Sequence, residues 1–221
     1  MPQVDSVGLD FDAIKTAKKV DPENKAVVFL KNLTLLVVFT LGIFCTINFP
    51  AFYSIYQYRL YPQNFADSSS RLACPGPKTS TIYSENSLVI GRIGVKSDIK
   101  WDVLAPDIME VLKNNLAHIG GTGRPGEGKN VFITGHSSNY WWNEGNLNSV
   151  FALLPELKEK DEIYLAYKGK VYRYEVTQKI ELSKNEVGNY VTSNQEQLTL
   201  MTCVPVGTNL RRLLVIAKPL Q

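Results

Sequence analysis

The chain is poor in the residues that metal and nucleic-acid chemistry need. Its 221 residues include two histidines, His118 and His136, and three cysteines, Cys45, Cys74 and Cys203. There is no CxxC, no HExxH and no acidic loop with metal-ligand spacing, so neither a metal nor another cofactor is expected. Three cysteines are too few and too odd for a disulfide framework, although one pair is possible. Net charge is also small. Lys and Arg total 24 against 21 acids, a net +3. The basic residues are scattered and no aromatic-basic motif accompanies them, so no nucleic-acid partner is expected. The glycine-dense stretch 120–128 lacks the Gly-Lys-Ser/Thr of a phosphate loop. No internal repeat is present.

Charge vanishes entirely between residues 33 and 53. About 20 apolar residues are needed for a helix to cross a bilayer, and this run supplies them. Thr34, Thr40, Thr46 and Asn48 can bond within the helix or sit near an interface. Tyr53, Tyr56 and Tyr58 follow like an aromatic belt. A signal peptide is the first alternative, but the run is long, lies deep in the chain and lacks a small-x-small cleavage site. A buried core helix is the second, and the length argues against it. Lys15, Lys18, Lys19, Lys25 and Lys31 flank the near side, which predicts a cytoplasmic N-terminus. The expected organisation is a cytoplasmic tail over 1–32, a single transmembrane helix over 33–53, an extracytoplasmic linker over 54–83 and a folded domain over 84–221. The linker carries Cys74-Pro75-Gly76-Pro77, which breaks regular structure, and no base is positioned beside Cys74.

From residue 87 onwards strand patterns dominate. Leu88–Val95 reads as a strand with a Gly-marked bend, and 98–101 as the next. Pro106 opens a helical stretch over 107–116. A short strand over 130–136 ends on His136, and 148–154 suggests a short helix. Residues 163–176 form a hairpin around Lys168-Gly169. The polar stretch 183–197 contains an apolar patch at 187–191. The fold class is mainly β: a closed or nearly closed barrel with short helices, preceded by the membrane helix.

The chemistry-bearing residues gather at strand ends. Leu198-Thr199-Leu200-Met201-Thr202-Cys203 is an apolar run ending on a thiol. A Pro- and Gly-containing loop follows, and a second apolar run begins after Arg211-Arg212. In a barrel, the ends bearing His136, Cys203 and Arg212 can converge on one rim. A thiolate is the nucleophile, and imidazole or guanidinium nearby favours it. Histidine can pass a proton to a leaving amine, and arginine can stabilise an oxyanion or hold a peptide carbonyl. A cysteine on a strand is also commonly a core residue, and a lone histidine commonly a satisfied one.

The run Thr199-Leu200-Met201-Thr202-Cys203 with Arg212 nine residues on resembles the TLxTC…R signature of sortases, membrane-anchored cysteine transpeptidases. Thr134-Gly135-His136 resembles their TGH motif. His118, Gly121-Thr122, Pro125-Gly126 and Asn130 resemble their approach to the histidine strand, and Ile93-Gly94-Val95 and 150–154 also match. The resemblance covers most of 87–219 in the family's order. It implies an eight-stranded sortase-type barrel, with Cys203 as nucleophile, His136 as general acid and base, and Arg212 as oxyanion and substrate-orienting residue. Thr202 is a substrate-binding candidate, Arg211 a weaker one, and His118 a structural residue. It further implies cleavage of a C-terminal LPxTG-like sorting motif, a thioester on Cys203, and transfer to an amine. The partners would be surface proteins or pilins with a sorting motif, and an amine acceptor such as a peptidoglycan precursor or a pilin lysine. The catalytic domain would be extracellular on a single-pass membrane protein. Activity needing thiolate and imidazolium together should peak at intermediate pH. The alternatives are a surface cysteine peptidase that uses water, and a non-catalytic anchored peptide-binding module. Tyr140-Trp141-Trp142 departs from the family pattern and is read as packing rather than a groove wall.

Overall fold

The structure, a computed structural model, describes residues 22–62, 64–65, 84–140 and 142–220. The greater part of the expected tail and linker, with Cys74 and also Trp141, lies outside the described residues. The chain divides into two compact units, residues 1–43 and 44–221.

Helix α1, Pro22–Ile47, carries residues 33–47 of the uncharged run, and the remainder falls beyond a break at Asn48. Its segment Asn24–Ile47 is long and apolar enough to cross a membrane, and none of it is buried. At 1.5 Å per residue its 24 residues extend about 36 Å against a hydrocarbon core of about 30 Å. The hydroxyls of Thr34 and Thr40 donate to the carbonyls of Leu30 and Leu36 at 2.9 and 2.8 Å, which is how polar side chains are tolerated in hydrocarbon. Helix α1 stops at Asn48, whose backbone N–H and side-chain amide both donate to the Phe44 carbonyl. Helix α2, Phe49–Leu60, begins with Pro50 in its first turn. It packs Tyr58 into the barrel core, with Ile55 against it. The segment read as linker from residue 54 thus continues as helix to Leu60, and Tyr58 is a core residue rather than part of a belt.

Eight strands close the barrel: β1 Ser87–Ile90, β2 Val95–Val103, β3 Leu116–Ile119, β4 Asn130–Thr134, β5 Glu162–Tyr167, β6 Lys170–Leu182, β7 Gln197–Val204 and β8 Arg211–Pro219. The neighbour order is β1-β2-β3-β4-β7-β8-β6-β5, with β5 pairing back to β1. The β2–β3 and β4–β7 pairs are parallel. Among the described residues, closure leaves no free sheet edge. Alternate side chains fill the interior, among them Leu88, Ile90, Val131, Ile133, Leu198, Leu200, Leu213 and Val215. On the outer wall a second cluster forms around Phe132, Leu182 and Leu214. Val187, Tyr190 and Val191, from the segment around the short helix α4 (Gly188–Val191), cover it.

The helix expected over 107–116 is one turn, α3 at Ile108–Val111, and Leu116–Ile119 is a strand. Parallel pairing of Leu116 and Ala117 with Ile99 and Lys100 of β2 buries this segment, which overrides its helical spacing. The expected helix at 148–154 is a set of turns ending in a 3-10 turn at Leu154–Glu156.

Candidate active site

Strand alternation sorts the candidate residues by face. On β7, Leu198, Leu200 and Val204 point into the core, while Met201 joins the outer cluster. Cys203 shares the parity of Met201 and faces outward. On β8, Leu213 and Val215 point inward and Leu214 outward, so Arg212 also faces outward. Cys203 and Arg212 are direct cross-strand partners, and on the far side of β8, Arg212 pairs with Leu182 of β6.

His136 reaches the same row by extension of β4. Thr134 pairs with Met201, and the Gly135 N–H donates to the Met201 carbonyl at 3.1 Å. The Thr202 hydroxyl donates to the Gly135 carbonyl at 2.9 Å. These bonds carry the contact with β7 one residue past the end of β4, to Gly135, which brings the chain at His136 to the Cys203 end of β7. The His136 carbonyl accepts from Phe151 N–H at 2.8 Å, which fixes the chain beyond. A Cβ at Gly135 would lie 2.7 Å from Phe151 and 2.8 Å from Leu116, so any larger residue before His136 would force these buried side chains to shift. Neighbouring strands lie about 4.8 Å apart, so the Arg212 backbone lies one strand spacing from that of Cys203. Cys203 and Arg212 lie on the outward face near the β7–β8 connection, and His136 follows the end of β4, the strand beside β7.

Cys203, His136 and Arg212 are each half-buried. Burial alone pushes His136 below the usual histidine range, and no charged neighbour shifts it. It is therefore neutral at neutral pH and able to accept a proton. Arg212 donates from one terminal nitrogen to the carbonyls of Asn209 and Arg211, at 3.1 and 3.0 Å, which holds the β7–β8 connection. Arg211 pairs with Val204 and takes the opposite parity, and its guanidinium donates to the Glu181 carbonyl. Thr202 is buried with its hydroxyl committed to Gly135.

Residues that sequence reasoning did not single out hold the loop after Cys203. The Gly207 N–H donates to the Ser138 hydroxyl at 3.0 Å, two residues past His136. Gly207 has φ +89°, and a Cβ there would stand 2.9 Å from Phe44 and 3.1 Å from Asn48. A cavity of about 450 Å³ lies between these segments, lined by Asn48, Ser138, Asn139, Tyr140, Gly207 and Asn209. Asn139 orders the next loop by bonds to Asn148, Asn143 and the Tyr140 N–H. Tyr140 and Trp142 stack at 4.8 Å and stand exposed, so these two aromatics are not core packing. His118 lies on β3, fully buried. It accepts from Asp102 N–H at Nδ1, and Nε2 faces the Gly123 carbonyl at 2.9 Å. These bonds brace the approach to β4.

A family model described as a sortase domain matches residues 88–220. Sortase A of Bacillus anthracis is 26% identical over 160 residues, which cover 72% of this chain and 73% of that protein. Among solved structures, sortase C-1 of Actinomyces oris is 24% identical with a TM-score of 0.53, covering 76% of this chain and 83% of that one. A lid mutant of sortase A from Corynebacterium diphtheriae is 21% identical with a TM-score of 0.52, covering 74% and 95%.

Proposed function

The chain belongs to the sortase family and is a cysteine transpeptidase, and we propose that Cys203 is its nucleophile, His136 its general acid and base, and Arg212 the group that holds the reacting carbonyl. The observation that supports this assignment is the outward-facing Cys203–Arg212 cross-strand pair, with the β4–β7 register and the Gly135 bonds bringing the chain at His136 to the same end of β7.

The substrate is a surface protein or pilin with a C-terminal LPxTG-like motif. As the Cys203 sulfur attacks a backbone carbonyl of that motif, its proton passes to neutral His136. The carbonyl oxygen takes up negative charge, and guanidinium N–H groups of Arg212 donate to it. The intermediate collapses with cleavage of the C–N bond. His136 gives its proton to the departing amine, and the acyl group remains as a thioester on Cys203. An acceptor amine, from a peptidoglycan precursor or a pilin lysine, then attacks the thioester carbonyl. His136 takes the amine's proton and the sulfur leaves. Thr202 acts by holding Gly135, and so the backbone before His136, rather than by touching substrate.

Single-pass anchoring by α1, with the lysine-bearing tail in the cytoplasm and residues 84–221 outside, would bring the barrel to substrates at the cell surface. The packing of Phe44 and Asn48 on Gly207 supports a site close to where the apolar helix ends. The test is incubation of the full chain in detergent with a sorting-motif peptide and an added amine. Wild type should yield the amine-capped N-terminal fragment, and Cys203→Ala none. Unchanged product from Cys203→Ala would overturn the assignment.

A further inference from the structure

Helix α2 has two faces of unlike character. Ala51 and Tyr58 are buried at 1% and 6% exposure, and Ile55 packs on the core beside Tyr58. The opposite side carries Phe49, Tyr53, Tyr56 and Leu60, exposed at 60, 50, 58 and 50%. At about 100° per residue these four fall within an arc of about 60°, centred opposite Ala51 and Tyr58. The Phe49 and Tyr53 rings stack at 5.7 Å, so the stripe is a continuous surface. The helix sequence FPAFYSIYQYRL contains no acid and one base, Arg59. Arg59 lies to the side of the stripe, 3.6 Å from Glu156. A continuous stripe of large apolar and aromatic side chains left open on a folded domain marks an interaction surface.

We propose that this stripe docks on the bilayer surface, with the Phe49, Tyr53, Tyr56 and Leu60 side chains in the headgroup region. The occupant follows from the chain. Helix α2 starts one residue after the apolar segment Asn24–Ile47 ends, so its first turn is always beside whatever surrounds that segment. Tyrosine has an apolar body and a polar tip, which suits the boundary between hydrocarbon and water. The stripe lacks the acids that an anionic leaflet would repel. Because the opposite face of α2 is packed into the barrel, docking would fix the catalytic domain's orientation on the membrane instead of leaving it on a free tether. The inference rests on membrane anchoring by α1, and the experiment separates the two.

The full chain is reconstituted in phosphatidylcholine vesicles containing a phosphatidylcholine with a photoreactive diazirine near its glycerol backbone. After irradiation, lipid adducts are mapped by peptide mass spectrometry. Adducts are expected on 49–60 as well as 24–47. In the double variant Tyr53→Glu/Tyr56→Glu, labelling of 49–60 should fall several-fold, with labelling of 24–47 and cleavage of a soluble sorting-motif peptide retained. Adducts on 24–47 with none on 49–60 would overturn the docking and leave the anchor intact. Absence of adducts from both would overturn both. Labelling of 49–60 that the double variant does not reduce would also reject the stripe as the contact.

Discussion

Two adjacent arginines separate by strand parity. Arg212 shares the face of its partner Cys203, whereas Arg211 turns to the Glu181 carbonyl. Arg212→Lys should lower kcat/KM by about 10- to 100-fold, because a point charge replaces a planar fork of donors. Arg211→Ala should change it little. Steady-state kinetics on a sorting-motif peptide checks both, and the reverse order of effects would reject the choice. Gly207 is constrained twice, by its φ of +89° and by the contact with Phe44 and Asn48. Gly207→Ala should cost about 1–3 kcal/mol of stability in urea denaturation, and should also slow the transfer reaction, since Gly207 lies within the loop that connects the strands of Cys203 and Arg212.

At the scale of elements, the end of β4 is held to β7 by three bonds that involve Gly135, Thr134 and Thr202. Thr202→Val keeps the shape but leaves the buried Gly135 carbonyl without its hydroxyl donor. It should cost about 1–3 kcal/mol and reduce kcat more than it raises KM, as expected of a positioning residue. Much of this was legible beforehand. Cys203, Arg212 and the strands that bear them could be read because an apolar run ends on the thiol and another begins at the arginine. His136 was legible as the end of a short buried run. Strand β3 was not, because Leu116–Ile119 is four residues long and its strand character comes from pairing with β2. The clamp on Gly207 was not either. Asn48 reads as a polar residue at the end of an apolar helix, and nothing local links it to a glycine far along the chain, Gly207. Nor does the sequence show that the Thr202 hydroxyl donates to the Gly135 carbonyl on the neighbouring strand's extension.

For the whole molecule, the two histidines shape the response to acid. Burial is the largest cause in both cases and lowers His118 and His136 below their ordinary value. Each therefore binds a proton more readily in the unfolded chain. Their contribution is fully present above about pH 6.5 and is lost as pH falls from there through the depressed folded values. Glu162, held down first by the Tyr164 hydroxyl and then by Arg173, and Glu186, held down by Ser183, lose theirs in a second, more acidic window. Urea midpoints should be flat between about pH 6.5 and 9 and decline below that range, with a shallower decline in His118→Gln. Stability that rose between pH 6.5 and 5 would contradict this sign. The central claim is that the outward-facing thiol of β7 carries the acyl group. The most direct measurement is the intact mass, followed by peptide mapping, of the full chain mixed with a sorting-motif peptide and acid-quenched without added amine. The account predicts one adduct with the mass of the N-terminal fragment, on Cys203 and released by hydroxylamine. An adduct on Cys45 or Cys74, or peptide cleavage that persists in Cys203→Ala, would contradict it.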